Sequence, residues 1–255
     1  MKVFVRTREI YDKFAGRVPY NRNIAIAMEG FHDMGFELHF YNKVDEIYDI
    51  YERGDIVLDG IDQVNYCLSK FGITPPNFDY PMPLIPYLGR KIWTDTIDHI
   101  NCSPELWNCF VKPLNKEKAF TGRVIREPKD LIGCGNHAEN YEVLCSEVVD
   151  FIFEVRGLIY YDKLVDLRPY KGNWKYMKDL DTSLIEKAMS DYIKWDERLN
   201  GCTLDWGLTS DGRTLFIEGN YGMCFGPYST DSLIYAKIIS ACTAQISKTI
   251  DECHF

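Results

Sequence analysis

Residues 203–220 read TLDWGLTSDGRTLFIEGN, which is two runs of alternating apolar side chains on either side of Asp211-Gly212. An Asp-Gly pair between such runs favours a β-hairpin closed by a two-residue type I′ turn. That turn sets Asp205 directly opposite Glu218, and because side chains alternate along a strand, both carboxylates project from one face. The stretch therefore predicts an antiparallel hairpin with one acidic face.

The apolar side chains of the hairpin fall on its other face. The same register sets Leu208 opposite Leu215 and Trp206 opposite Ile217, with Leu204 further along the first strand. A face of this composition is expected to pack against a hydrophobic core.

The acidic face is a candidate metal site. Two directly opposed carboxylates repel each other, so a compensating cation is expected between Asp205 and Glu218. Asn220 lies on the same face and adds an amide oxygen, and such a set of hard oxygen ligands suits Mg²⁺ that keeps waters or phosphate oxygens. The alternative is a solvated outer face with incidental charges, and a turn of another length would change the register.

Composition limits the class of protein. The chain has 255 residues, 46% hydrophobic and 26% charged, which is typical of a folded globular protein. Its net charge of −9 argues against a general nucleic-acid or anionic-membrane binder but allows a local phosphate pocket. No apolar run approaches the roughly 20 residues that span a bilayer. The nine cysteines include no C-x-x-C pair, which favours reduced thiols in a cytoplasm.

The first third of the chain alternates predicted strands and helices. Apolar spacing predicts strands at 2–5, 36–41 and 56–58, and helices at 23–34 and 61–71, so we expect a small α/β lobe. A proline-rich stretch over 75–86 is the candidate linker. Beyond it, residues 107–170 and 203–220 favour antiparallel strands, and residues 182–199 and 232–250 favour helices.

A second chemical segment is the strand Phe110-Val-Lys-Pro113 and the loop after it. A lysine inside a short apolar strand is costly to bury unless it has a partner. The loop adds Lys116, Lys118, Thr121 and Gly122, and a strand lysine with a basic loop can hold nucleotide phosphates. The alternative is a strand-end lysine whose head group reaches water.

A third segment, residues 146–156, reads SEVVDFIFEVR and predicts a strand, a break near Asp150 and a second strand. Backbone groups exposed at such a hinge can bind the edge of an adenine. Glu154 and Arg156 project to one face at the strand period. The alternative for these two residues is a structural cross-strand ion pair.

In chain order, the three segments resemble the ATP-grasp superfamily, and more narrowly its small bacterial and phage clade related to the ribosomal-protein glutamate ligases. The resemblance covers about residues 88–240. It implies an α/β (α+β) chain in which two antiparallel-sheet subdomains clasp the nucleotide. The implied domains are residues 1–87, a small α/β domain; residues 88–146, a small subdomain with the phosphate loop; and residues 147–255, a C-terminal subdomain with the metal site.

The resemblance also implies a role for each matching residue. The metal ligands are Asp205, Glu218 and Asn220, and the residues that contact the nucleotide phosphates are Lys112, Lys118, Thr121 and Gly122. Glu147, Val148 and Val149 match the hinge beside the adenine, and Glu154 is also assigned to the nucleotide site. Arg156 and Arg168 are the implied catalytic residues near the acyl phosphate.

The implied reaction is ATP- and Mg²⁺-dependent ligation of a carboxylate to an amine through an acyl phosphate. The amine could belong to an amino acid, a peptide or a protein terminus, and the oligomeric state is left open. The chain departs from the superfamily in having one loop glycine, Gly122, and in the motif Glu218-Gly-Asn220. The alternatives are an ATP-grasp phosphotransferase, a non-catalytic nucleotide-binding module and an unrelated α+β domain.

Overall fold

A computed structural model of the chain describes residues 1–9, 17–114, 119–134 and 139–254. Within these ranges the strands form three four-stranded sheets. No helix in the described ranges is long and apolar enough to cross a membrane. All nine cysteines lie in these ranges, and no disulfide joins them.

The N-terminal sheet is mostly parallel. Its central strand β1 pairs in parallel with β3 and β4 and antiparallel with β2. The strands are β1 (Val3–Glu9), β2 (Arg17–Pro19), β3 (Leu38–Tyr41) and β4 (Ile56–Leu58), and the helices are α1 (Arg22–Asp33), α2 (Asp45–Tyr48) and α3 (Ile61–Ser69). The chain leaves β1 for β3 on one side and then returns to β4 on the other side. Such a reversal of strand order opens a crevice at the carboxyl ends of parallel strands.

Local signals explain the ends of helix α1. The Asn21 side chain accepts a hydrogen bond from the backbone N–H of Ile24 and so caps the first turn. After the helix, Gly35 has a φ of +85°, which glycine adopts without strain. The predicted helix over 23–34 is confirmed as α1. The predicted strand over 56–58 is confirmed as β4.

The second sheet is antiparallel, with strand order β5-β8-β6-β7. Its strands are β5 (Ile92–Thr96), β6 (Cys109–Pro113), β7 (Arg123–Ile125) and β8 (Glu142–Glu147), and helix α4 is Ile97–Cys102. One face buries Val111 and Cys145 against Ile97 and Ile100 of α4. Side chains alternate along β6, so Lys112 projects from the opposite face.

The third sheet is also antiparallel, with strand order β10-β9-β11-β12. Its strands are β9 (Phe151–Tyr160), β10 (Lys163–Gly172), β11 (Gly201–Thr209) and β12 (Thr214–Tyr221), and the helices are α5 (Thr182–Ile193) and α6 (Ser232–Ser247). On one face, Trp206 and Phe216 pack in a core with Tyr192 of α5. On the other face, Leu158 packs with Ile238 of α6 and with apolar residues of the N-terminal sheet.

The proline-rich stretch is packed, although the sequence suggested a linker. It contains a 3-10 helix over Met82–Tyr87, and Phe78, Leu84 and Leu88 lie in the core of the third sheet. The backbone N–H of Gly219 also donates to the carbonyl of Asp79 at 2.8 Å, which anchors the stretch along the edge of β12.

The predicted two-residue turn of the β11–β12 hairpin is wrong. The N–H of Thr209 donates to the carbonyl of Arg213 at 2.9 Å, and the N–H of Gly212 donates to the carbonyl of Thr209 at 3.0 Å. Three residues therefore lie between Thr209 and Arg213, the last hydrogen-bonded pair of the hairpin. Gly212 takes a φ of +84°. A three-residue loop with a left-handed glycine is the next most favoured hairpin connection.

The longer turn shifts the register of the first half of the hairpin. Gly207 is opposite Leu215 and Trp206 is opposite Phe216, so the predicted pairs Leu208–Leu215 and Trp206–Ile217 are wrong. An irregularity between Trp206 and Asp205 then restores the predicted pairing of Asp205 with Glu218.

An arginine side chain stabilises this irregularity. The Arg90 guanidinium donates to the carbonyls of Phe216 at 2.8 Å and Ile217 at 2.7 Å. These hydrogen bonds satisfy backbone acceptors where the regular ladder is interrupted. With this register Phe216, in place of the predicted Ile217, packs with Trp206 in the core.

We predict that Gly212→Ala will lower the free energy of unfolding by about 1–2 kcal/mol, the cost of a left-handed backbone for a residue with a Cβ. No atom lies within 4 Å of the added Cβ, so the loss would reflect backbone strain alone. Urea denaturation measures it, with Ser210→Ala in the same turn as the control that should change little. Equal stability of both variants would contradict this account of the turn.

Candidate functional site

Four charged residues form a row across one face of the third sheet. Arg168 is opposite Arg156, Arg156 is opposite Asp205, and Asp205 is opposite Glu218. Directly opposed residues in an antiparallel sheet project to the same face. The row therefore brings together four of the residues nominated from the sequence, two basic and two acidic.

The centre of the row is a buried ion pair. Arg156 donates from Nε to Oδ1 of Asp205 at 2.8 Å and from Nη2 to Oδ2 at 2.7 Å. Arg156 is 9% exposed and Asp205 is 1% exposed. Burial raises the pKa of the Asp205 carboxyl, the hydrogen bonds from Arg156 oppose that rise, and the charges of Glu218 and Glu154 add to it. The acidic residues around Asp205 therefore repel its charge.

Asn220 lies beside this pair. Its Nδ2 is 3.5 Å from Oδ2 of Asp205, and Glu218 is paired with Asp205 from the same strand. No three His, Cys, Asp or Glu side chains within the described ranges form a metal cluster by themselves. The nominated set consists of two carboxylates and an amide. Its oxygen chemistry fits a hard divalent cation, which would also relieve the repulsion between the carboxylates.

Lys112 reaches the end of the row from the second sheet. Its Nζ lies 2.9 Å from Oε2 of Glu218 and 2.9 Å from Oδ1 of Asp79. Burial acts to lower the pKa of Lys112, but the charges of Glu218 and Asp79 outweigh burial and raise it, so the ammonium stays protonated at neutral pH. An ammonium has three donors, and the two contacts that Lys112 makes with described residues leave a third donor for a ligand.

Asp79 is a site residue that was not predicted from the sequence. It lies in the proline-rich stretch, at 28% side-chain exposure, and neutralises Lys112 from there. Its one signal was an acidic side chain between prolines, and nothing local distinguishes that from a solvated loop.

The chain after β6 brings Gly122 back next to Lys112. A Cβ placed on Gly122 would lie 2.6 Å from the Phe110 ring and 3.0 Å from the Cβ of Lys112, so glycine allows this close approach. Thr121 precedes it and is exposed. The third nominated residue of the loop, Lys118, lies outside the described residues.

Glu154 pairs with Lys171 and not with Arg156, the partner suggested by their positions on one face of the strand. It contacts Nζ of Lys171 on β10, while Arg156 pairs with Asp205.

Tyr170 stacks on Tyr228 with ring centroids 5.1 Å apart. The Arg156 guanidinium lies 5.6 Å from the first ring and 5.1 Å from the second. Neither tyrosine was predicted from the sequence, and the two rings together enclose the guanidinium.

Arg168 is held within its own strand. Its Nε donates to Oδ2 of Asp166 at 2.5 Å, and its side chain is 38% exposed. Thr230 donates to the same oxygen at 3.3 Å. Arg168 thus occupies the row next to Arg156, with its charge balanced by Asp166.

The nominated hinge residues line a separate cavity of about 600 Å³. Glu147, Val148 and Val149 form part of its wall together with Trp93 and Trp107. A carboxylate oxygen of Glu147 accepts a hydrogen bond from the backbone N–H of Lys91 at 2.9 Å. The described lining of this cavity contains none of the charged row. The hinge and the charged row therefore belong to different parts of the interface between the two antiparallel sheets.

Comparison with known proteins gives one family match. A model of the ATP-grasp domain, R2K clade family 2, matches residues 87–238, which is more than half of the chain. No curated protein matches the chain in sequence.

Solved structures resemble the chain over nearly its whole length. The D-alanine–D-alanine ligase from Bacillus anthracis complexed with ATP has a TM-score of 0.54 at 12% identity, covering 97% of this chain and 98% of that chain. A RimK domain ATP-grasp protein from Sphaerobacter thermophilus has a TM-score of 0.53 at 13% identity, covering 94% and 98%. The N5-carboxyaminoimidazole synthetase from Staphylococcus aureus has a TM-score of 0.52 at 12% identity, covering 86% and 73%.

Proposed function

Since this chain belongs to family 2 of the R2K clade of ATP-grasp domains and has the ATP-grasp fold, we propose that it is an ATP- and Mg²⁺-dependent carboxylate–amine ligase. A carboxylate oxygen attacks the γ-phosphorus of ATP, ADP leaves, and an acyl phosphate forms. An amine nitrogen then attacks the acyl carbon, releases phosphate and leaves an amide. The amine could come from an amino acid, a peptide or a protein terminus.

The observation that best supports this proposal is the contact between Lys112 and Glu218. A cation from one sheet meets the end of an acidic row on the other sheet, at 2.9 Å. Phosphoryl transfer needs positioning and charge neutralisation more than a covalent nucleophile. A cleft with a protonated lysine, two carboxylates and an arginine supplies both.

Asp205, Glu218 and Asn220 would hold Mg²⁺. When bound, the ion neutralises charge on the transferring phosphoryl group and orients it. Each carboxylate oxygen that accepts one hydrogen bond keeps a second lone pair, so the bonds from Arg156 leave ligand positions on Asp205. Asn220 is next to that carboxylate.

The remaining nominated residues have proposed roles in nucleotide and substrate binding. Lys112, Lys118, Thr121 and Gly122 would contact the phosphates, and the backbone of Glu147, Val148 and Val149 would contact the adenine base. Glu154 would complete the nucleotide site. Arg156 and Arg168 would stabilise the charge that develops at the acyl phosphate. The proposed division into residues 1–87, 88–146 and 147–255 assigns these groups to the two clasping subdomains.

The proposed reaction is tested by incubating the protein with ATP, Mg²⁺ and pools of amino acids and peptides. We expect ADP release together with a product whose mass equals that of an acid plus an amine less one water. ADP release without such a product would favour a phosphotransferase. Nucleotide binding without ADP release would favour a binding module and contradict the proposal.

We predict that Lys112→Ala will weaken ATP binding by about tenfold to a hundredfold, the loss of one charge-assisted contact worth about 1.5–3 kcal/mol. Asp79 and Glu218 are each about a third exposed, so water can solvate them once the lysine is gone. Isothermal titration calorimetry with ATP measures the affinity. The matched control is Lys163→Ala, an exposed strand lysine outside the site. Unchanged affinity in Lys112→Ala would remove Lys112 from the phosphate site.

A further inference from the structure

The proline-rich stretch contacts both antiparallel sheets at Asp79. The Asp79 carboxylate binds Lys112 of β6, and the Asp79 carbonyl accepts from the N–H of Gly219 on β12 at 2.8 Å. Asn77 fixes the bend between them: its Oδ1 accepts from the N–H of Asp79 at 2.9 Å, and its Nδ2 donates to the carbonyl of Leu114, just after β6, at 3.4 Å. Asp79 is thereby held where the second and third sheets meet.

The glycine of the Glu218-Gly-Asn220 motif gives this stretch its place beside β12. A Cβ placed on Gly219 would lie 2.7 Å from the carbonyl oxygen of Phe78 and 2.9 Å from the Phe78 ring. Glycine allows another backbone to approach a strand this closely. The glycine by which the chain departs from the superfamily motif therefore makes room for the residue next to Asp79.

The described side chains at the Lys112 ammonium carry a net negative charge. Two carboxylates, Asp79 and Glu218, each lie 2.9 Å from Nζ and face one positive charge. Glu218 belongs to the proposed Mg²⁺ ligands, so a bound ion would offset its charge. Asp79 is outside that ligand set, and its charge repels an approaching phosphate. Asp79 is therefore the carboxylate that opposes nucleotide binding at Lys112.

The donors of the ammonium are shared between these two carboxylates and a ligand. Asp79 and Glu218 take two of the three donors, so one phosphate oxygen can take the third. A second phosphate oxygen can bind only after a carboxylate leaves. Asp79 can leave, because its side chain is 28% exposed and water can solvate it, whereas the Lys112 side chain is only 12% exposed and stays in the cleft.

We propose that Asp79 is an internal counter-anion that exchanges with a nucleotide phosphate at Lys112. It positions the ammonium before ATP binds, moves into water as the phosphates arrive, and returns to Lys112 when ADP leaves. The inference rests on the proposed ligase function, in which the nucleotide phosphates bind Lys112. Its consequence is that ATP and ADP both bind more weakly than they would to Lys112 and Glu218 alone, because part of the binding energy is spent on displacing Asp79.

Isothermal titration calorimetry of Asp79→Asn measures the exchange. Asparagine keeps the size of the side chain but removes the charge that competes with phosphate. With Mg²⁺ present, ATP and ADP should each bind about tenfold more tightly to the variant than to the wild type. Adenosine, which has no phosphate, should bind both proteins equally. A purely structural role for Asp79 would instead weaken all three ligands or change none of them.

The matched control is Asp196→Asn, at an exposed position after α5. It removes the same charge elsewhere on the molecule and should leave all three affinities unchanged. Tightening of ATP in this control as large as in Asp79→Asn would assign the effect to net charge and overturn the exchange.

A double-mutant cycle with Lys112 locates the effect. In a Lys112→Ala background, Asp79→Asn should leave the ATP affinity unchanged, because the ammonium for which carboxylate and phosphate compete is gone. Equal tightening in both backgrounds would show that Asp79 acts by general repulsion, and it would overturn the exchange at Lys112.

Two further outcomes separate this inference from the proposed function. ATP affinity that is unchanged or lower in Asp79→Asn overturns the exchange, while ATP binding itself leaves the ligase proposal standing. Failure of the wild type and of every variant to bind ATP, ADP or adenosine overturns both.

Discussion

Replacing Glu218 with Gln is expected to lower ATP turnover about a thousandfold with little loss of stability. The change removes one of two carboxylates proposed to hold Mg²⁺, and it also removes the charge that holds Lys112 at the end of the acidic row. Charge stabilisation by a bound metal is worth several kcal/mol, and each 1.36 kcal/mol is about tenfold in rate. The Glu218 side chain is 34% exposed, so the amide can be solvated and the fold should persist.

Coupled ADP release at saturating ATP over a range of Mg²⁺ concentrations measures this effect. The expected pattern is a low maximal rate and a higher Mg²⁺ requirement, with an unchanged thermal midpoint. Glu186→Gln is the control, since Glu186 is exposed on α5 outside the proposed site. Full turnover in Glu218→Gln would show that the carboxylate does not belong to a metal site.

Replacing Arg156 with Met is expected to lower the free energy of unfolding by about 3–5 kcal/mol, because Asp205 is then buried without its partner. The double variant Arg156→Met with Asp205→Leu should recover most of this loss, since an apolar pair can replace a buried ion pair. ATP turnover should remain absent in the double variant, because both residues have proposed catalytic roles. The comparison thereby separates stability from activity.

The stability of Arg156→Met should also depend on pH. Burial raises the pKa of Asp205, and loss of the arginine removes the hydrogen bonds that oppose that rise. An acid whose pKa is higher in the folded than in the unfolded state binds more protons when folded, so stability falls as pH rises. The destabilisation should therefore shrink as the pH is lowered.

Urea denaturation of the wild type and the variants at several pH values measures both effects. Arg168→Met is the matched control, because Arg168 lies in the same row but is partly exposed and pairs with Asp166, so its loss should cost at most about 1 kcal/mol. A single variant as stable as the wild type, or a double variant as unstable as the single one, would contradict the assignment of a buried pair.

Short-range patterns were enough to predict several features. The alternating runs around Asp211-Gly212 indicated the hairpin, and the chain order of the three segments indicated the ATP-grasp superfamily, which the family model and the fold confirm. The predicted register near the turn was wrong by one residue. The pairing of Asp205 with Glu218 was nevertheless correct, because an irregularity on β12 compensates for the longer turn.

Other features depend on contacts between distant parts of the chain. Arg156 meets Asp205 because β9 and β11 are neighbours, and Asp79 meets Lys112 because the proline-rich stretch packs along β12. Neither position carries a local pattern that identifies its partner. A cavity of about 350 Å³ beside Arg156 is lined by residues of β4, α1, β9 and α6, so no single segment indicates it.

The sequence alone therefore specified the elements, the acidic hairpin face and the strand lysine, because side-chain alternation and glycine conformations act over a few residues. Tertiary structure decided the partners of each charge and the shape of the cavity beside Arg156. The physical reason is that the burial and repulsion of a charge depend on every element packed around it, and those elements come from distant parts of the chain.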